Sequence, residues 1–170
     1  MSITAGPTSI FCVFAPIAGW PPIEISGTAG IPPEVYRFTY RIKGRYVDSN
    51  GSLLERDTHL LKVNLTLGYP IRAPQCRMLT PVFHPNFGDV SVCTGDFWAA
   101  SEGLDDLMIR IGRMIAYQEY NTKSPLNGLA SKWAAQNVQL LPIDPRGIAP
   151  PSRDLAEAQM LSAEHAPDAN

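Results

Sequence analysis

A histidine, a proline and an asparagine stand together at His84-Pro85-Asn86. A thiol, Cys93, follows seven residues after the asparagine, and Trp98 lies five residues further on. A thiol can hold an acyl group as a thioester. A side-chain amide beside it can donate to the oxyanion that forms when the thioester is attacked. The same residues admit other chemistry: His84 and Cys93 could be the base and nucleophile of a cysteine hydrolase. Cys93 could also be a small buried hydrophobe, as most free cysteines are, and Asn86 a turn residue that braces the loop after it. Charge bears on the choice. No Lys or Arg lies between Arg77 and Arg110, whereas Asp89, Asp96, Glu102, Asp105 and Asp106 crowd around Cys93. A hydrolase thiol is served by an imidazolium or a helix N-terminus, not by acids. If the acids stay close in space they favour a carrier thiol; otherwise they are a solvated face. Cys76, His84 and Cys93 lack the paired spacing of a zinc site, and His59 and His165 lie outside the motif, so neither metal nor cofactor is expected.

These residues need elements to position them. Tyr36, Phe38, Tyr40, Ile42 and Tyr46 alternate with Arg37, Thr39, Arg41, Lys43 and Arg45, the period of a strand with one buried face and one basic face in water. Asp48-Ser49-Asn50-Gly51 supplies a hairpin turn. Leu61, Val63, Leu65 and Leu67 continue as the next strand, and a third is expected over residues 75–82, bracketed by Pro74 and Pro81. After Trp98 the period becomes 3.6: Leu104, Leu107, Met108, Ile111, Met114 and Ile115 share a helical face, with Asp105 and Asp106 in the first turn. A second helix is expected to start near Pro125 and to bury Leu126, Leu129, Ala130 and Trp133. Strands followed by helices imply an α+β fold, an antiparallel β-meander packed against helices.

The run Tyr69-Pro70-Ile71-Arg72-Ala73-Pro74, then Thr80-Pro81-Val82-Phe83-His84-Pro85-Asn86, then Cys93, Trp98, an amphipathic helix and Ser124-Pro125-Leu126-Asn127 resembles the core of a ubiquitin-conjugating enzyme. The resemblance implies that Cys93 accepts the C-terminus of a ubiquitin-like modifier from an activating enzyme and passes it to an amine of a target protein. It also implies that Asn86 donates to the oxyanion and that His84 braces the loop rather than acting as a base. Ser124, with Asn121 close by, matches the position that helps to orient the attacking lysine; alternatively Ser124 only caps the next helix. Ile71 and Trp98 match the ligase-binding loops by position. A deconjugating peptidase is a further partner implied.

Departures are visible too. Phe83 stands where the family has Tyr, the step from Cys93 to Trp98 is short, and the usual N-terminal helix with basic residues is not expected, since the first Lys or Arg is Arg37. These features are more similar to the conjugating-enzyme-like proteins of bacterial ubiquitin-like operons, linked with defence against phage. A relative that keeps the fold only as a non-catalytic scaffold is the alternative, although such relatives usually lack the cysteine.

Composition bounds the rest. The 170 residues suit one domain, divided here into an apolar then Pro/Gly-rich extension (1–34), a catalytic core (35–140) and a Pro-rich tail with a possible short helix (141–170). Apolar and charged fractions of 45% and 18% describe a globule, and a net charge of -2 gives no footprint for nucleic acid. The apolar run 10–18 is too short for a membrane span. Residues 19–33, rich in proline and glycine, read as an irregular connection. Three cysteines without a CxxC pair fit a reducing, cytoplasmic setting.

Overall fold

A computed structural model describes residues 22–89, 91–94 and 98–148. The apolar run 10–18, the expected lack of an N-terminal helix and the tail helix fall outside those residues. Four strands form an antiparallel sheet in the order β1 (Ile23–Ala29), β2 (Val35–Tyr40), β5 (His59–Asn64), β6 (Gln75–Met78); β3 (Gly44–Val47) and β4 (Leu53–Arg56) form a separate hairpin. Tyr36, Phe38, Tyr40, Leu61, Val63 and Met78 turn inward from the sheet. Helix α1 (Leu104–Ile115) meets them with Leu104, Leu107, Met108, Ile111, Met114 and Ile115, so the 3.6 period of the sequence becomes the buried face of the helix. Truncating Ile111, fully buried, to Ala is expected to cost about 2–5 kcal/mol. The fold is α+β: an antiparallel sheet with two helices, the second being α2 (Gly128–Gln136).

Several expectations are corrected. The long strand over residues 36–46 breaks after Tyr40: the Arg41 N–H still donates to the Pro22 carbonyl opposite it at 2.6 Å, but Pro22 has no N–H to return, and the Lys43 N–H turns to Asp144 Oδ2 at 3.3 Å. Gly44 then passes so close to His59 that a Cβ would stand 2.7 Å from Nε2. The basic face divides with the strand: Arg41 pairs with Glu24, and Arg45 pairs with Glu55 while lying over the Trp133 ring. Within residues 19–33 an edge strand forms, β1, with a register irregularity between Ile25 and Gly27. The strand of Leu61 and Val63 stops at Asn64, leaving Leu67 fully exposed, and the third strand ends at Met78.

The second helix starts later than Pro125 suggests. Leu126 and Asn127 both donate their N–H groups to the Pro85 carbonyl, at 2.9 and 3.1 Å, which holds this segment extended against the His-Pro-Asn turn. The Asn127 side chain then caps the helix by accepting the Ala130 N–H at 3.0 Å. In this arrangement Ala130 is buried, whereas Leu126 and Leu129 are 49% and 78% exposed and Trp133 is half-buried.

Candidate active site

The spacing of Asn86 and Cys93 has a geometric meaning. A narrow antiparallel hairpin runs through this segment, with Phe87 bridged to Val92, the Gly88 N–H donating to the Ser91 carbonyl at 2.9 Å and the Cys93 N–H donating to the Asn86 carbonyl at 2.8 Å. Asn86 therefore stands opposite Cys93 across the hairpin. Side chains at directly opposite positions share a face with their Cβ atoms about 4.5–5.5 Å apart. An even spacing would have put them on different faces. A Cβ at Gly88 would stand 2.7 Å from Ser91 Oγ, so a side chain there requires that hydroxyl to rotate away.

The turn that starts the hairpin is held from below. His84 is fully buried, and its Nδ1 accepts the Asn86 N–H at 3.0 Å. That bond places the ring proton on Nε2, which is buried without a partner at full hydrogen-bonding geometry. Burial pushes the imidazole down to about 3, with the Glu119 main chain pulling weakly the other way. Burial and the engaged Nδ1 lone pair both disfavour a proton on this ring, which argues against His84 as the base of a Cys–His hydrolase pair, while the Nδ1 bond ties the ring to the turn.

Asn86 is 8% exposed and its side chain is tied at the oxygen end: Oδ1 accepts the Asn121 N–H at 3.0 Å, and Asn121 Oδ1 in turn accepts the Lys123 N–H at 2.8 Å. Fixing Oδ1 on the loop after α1 fixes the amide plane, which leaves the NH2 end as the donor free of that contact. The two roles weighed for Asn86, loop brace and donor, are thus compatible in one orientation. Cys93 is half-buried. At Cys76, burial pushes the thiol up to about 12 against an opposing pull from Arg110. Of the acids near Cys93 in sequence, Glu102 pairs with Arg110, while Asp105 and Asp106 occupy the first turn of α1, where the helix dipole favours them. Each of these three acids therefore has a role within or beside the helix.

The α+β core that carries this hairpin also matches a known family. The model of the ubiquitin-conjugating enzyme family matches residues 31–140. The chain belongs to the ubiquitin-conjugating enzyme family. Among solved structures it is similar to one described as a ubiquitin-conjugating enzyme from Trypanosoma cruzi, with 20% identity over 69% of this chain and 76% of that one and a TM-score of 0.51. That likeness speaks for the fold. Ubiquitin-conjugating enzymes are transferases that work with ubiquitin-like modifiers, activating enzymes and target proteins.

Within this conjugating-enzyme fold, Ser124 is exposed and does not cap α2, a role taken by Asn127. It lies in the loop whose ends are tied to Asn86 and Pro85. Trp98 donates its indole N–H to the Pro70 carbonyl at 2.7 Å and packs beside Tyr69, so it anchors the Tyr-Pro loop, from which Ile71 stands 81% exposed. Among the described residues no cluster of three His, Cys, Asp or Glu is placed to hold a metal ion, and no helix is long and apolar enough to cross a membrane.

Tyr117 escaped sequence reasoning. Helix α1 ends in a Schellman motif, with the Tyr117 N–H donating to the Met114 carbonyl and the Gln118 N–H to that of Arg113, both at 2.9 Å. That motif puts Tyr117 at the left-handed position usually held by glycine, with φ 53°. The ring then stacks edge-on against His84, centroids 4.5 Å apart, and the hydroxyl donates to the Phe83 carbonyl at 2.6 Å. A glycine stop signal would have revealed the helix end; the tyrosine conceals it.

Proposed function

We propose that this chain carries a ubiquitin-like modifier as a thioester on Cys93. The Cys93 sulfur attacks the thioester joining the modifier's C-terminus to an activating enzyme and displaces that enzyme's thiol. An amine of a target protein then attacks the Cys93 thioester, forming an amide and releasing the thiol. The NH2 of Asn86 donates to the oxyanion of that second step. Ser124, exposed on the neighbouring loop, helps to orient the incoming amine. The observation that carries this reading is the pairing of Asn86 with Cys93 across the hairpin, with the Asn86 amide oriented by Asn121.

Phe83 in place of Tyr and the short step to Trp98 support placing the chain with the conjugating-enzyme-like proteins of bacterial ubiquitin-like operons, acting in the reducing cytoplasm in defence against phage. Phage challenge of cells carrying the operon with Cys93→Ala tests that placement, and unchanged protection would count against it.

Incubation with the activating enzyme and modifier encoded beside it, plus ATP, tests the activity. A conjugating enzyme acquires a thiol-sensitive adduct and loses it on addition of an amine. A non-catalytic scaffold binds the modifier and acquires none.

A further inference from the structure

Three basic side chains stand in one row across the sheet. The register sets Arg37 of β2 opposite Lys62 of β5, and Lys62 opposite Arg77 of β6. Adjacent members are therefore one strand spacing apart, about 4.8 Å. All three are exposed, and the ion pairs among the described residues, Arg41–Glu24, Arg45–Glu55, Arg110–Glu102 and Arg146–Asp144, include none of them. Like charges directly opposite on neighbouring strands repel, so the row destabilises the sheet unless anions cover it. The next row on the same face runs from Glu24 and Thr39 to an apolar end, where Leu60 and Leu79 are 36% and 46% exposed and the Leu79 N–H donates to the Leu60 carbonyl. Toward β1 the row ends at Gly27, which has no side chain, so it lies open at the sheet edge.

We propose that residues 151–168 of this chain dock on that face, with acids against the cationic row and leucines against Leu60 and Leu79. The segment carries Asp154, Glu157, Glu164 and Asp168 against one cation, Arg153, and it includes Leu155 and Leu161. Its starting point suits the route. Ile148 is buried against Gly112 in the core it shares with Ile23, the first residue of edge strand β1. Gly27 lies four residues along that strand, about 13 Å, and residues 149–153 span up to about 17 Å when extended. A nucleic-acid backbone is a poorer occupant, because the adjoining leucines give it nothing to bind. The docking is independent of the proposed acyl transfer.

Carbodiimide cross-linking tests it, since this reagent joins an amine to a carboxylate only in direct contact. In the monomeric full chain, Lys62 is expected to couple to Asp154, Glu157, Glu164 or Asp168, with a yield independent of protein concentration and lost in about 0.5 M salt, roughly three times physiological ionic strength. A full-length variant with the four acids changed to Asn or Gln should shift the amide resonances of residues 37, 62 and 77 and leave the core resonances in place. A Lys62 cross-link to the tail that forms only between chains would overturn docking in cis. So would the absence of a cross-link together with unshifted resonances.

Discussion

Asn86 and Cys93 face each other across a narrow hairpin, the Asn86 carbonyl accepting the Cys93 N–H at 2.8 Å, while Asn86 Oδ1 accepts the Asn121 N–H at 3.0 Å. One residue thus joins the thiol segment to the loop after α1.

Two substitutions separate those jobs. Asn86→Ala removes both the acceptor for Asn121 and the donor, so it is expected to cost about 1 kcal/mol in urea unfolding and to slow discharge of the thioester to free lysine on the order of 10²-fold. Asn86→Asp retains an oxygen for the Asn121 N–H and removes only the donor. It should keep most of the stability and still discharge slowly. Wild-type discharge by Asn86→Asp would eliminate the donor role.

The buried histidines make stability depend on pH. His84 and His59 are held neutral by burial, at about 3 and about 4, below the ordinary value of 6.5. Between those values and 6.5 the unfolded chain binds protons that the folded chain refuses. Stability is therefore full above about pH 6.5 and falls as pH drops, with a slope of up to about 1.4 kcal/mol per pH unit for each histidine. Urea midpoints from pH 7.5 to pH 5 measure this. His84→Asn, which keeps an acceptor for the Asn86 N–H, should roughly halve the slope. A flat profile in the wild type would contradict the burial of both rings.

The described cysteines should differ sharply in reactivity. With its thiol pushed up to about 12 by burial, Cys76 has almost no thiolate at pH 8. Cys93 should be alkylated by iodoacetamide faster than Cys76 under native conditions. Peptide mapping after a short exposure reads both sites together, and equal rates would contradict the arrangement.

Tyr117→Phe keeps the ring against His84 and deletes the hydroxyl that donates to Phe83. A loss of about 1 kcal/mol is expected. An unchanged urea midpoint would show that this bond adds nothing to holding the turn.

Legibility in the sequence followed how local each signal is. The α1 face could be read because six apolar residues repeat at the helical period, and the Asp48–Gly51 turn because Asp48 Oδ1 accepts the N–H groups of Asn50 and Ser52 within the turn itself. The break after Tyr40 was hidden, because Pro22 and Asp144, distant in sequence, take the N–H groups of Arg41 and Lys43. Strand β1 was hidden for a related reason: prolines and glycines surround it, and its bonds come from β2. At the site, His84, Asn86 and Cys93 were visible as a motif, and their mutual placement follows from the odd spacing across the hairpin. The link from Asn121 to Asn86 and the ring of Tyr117 on His84 arise only when α1 brings its C-terminal end to the turn.

The central claim is that Cys93 is the acyl-carrying residue, and locating the adduct tests it most directly. With activating enzyme, ATP and modifier, wild type and Cys76→Ser should each gain a modifier-sized mass increase that a thiol reverses. Cys93→Ser should gain a slower, thiol-resistant ester, and Cys93→Ala should gain nothing. A thiol-sensitive adduct that survives in Cys93→Ala and disappears in Cys76→Ala or Cys12→Ala would contradict the account.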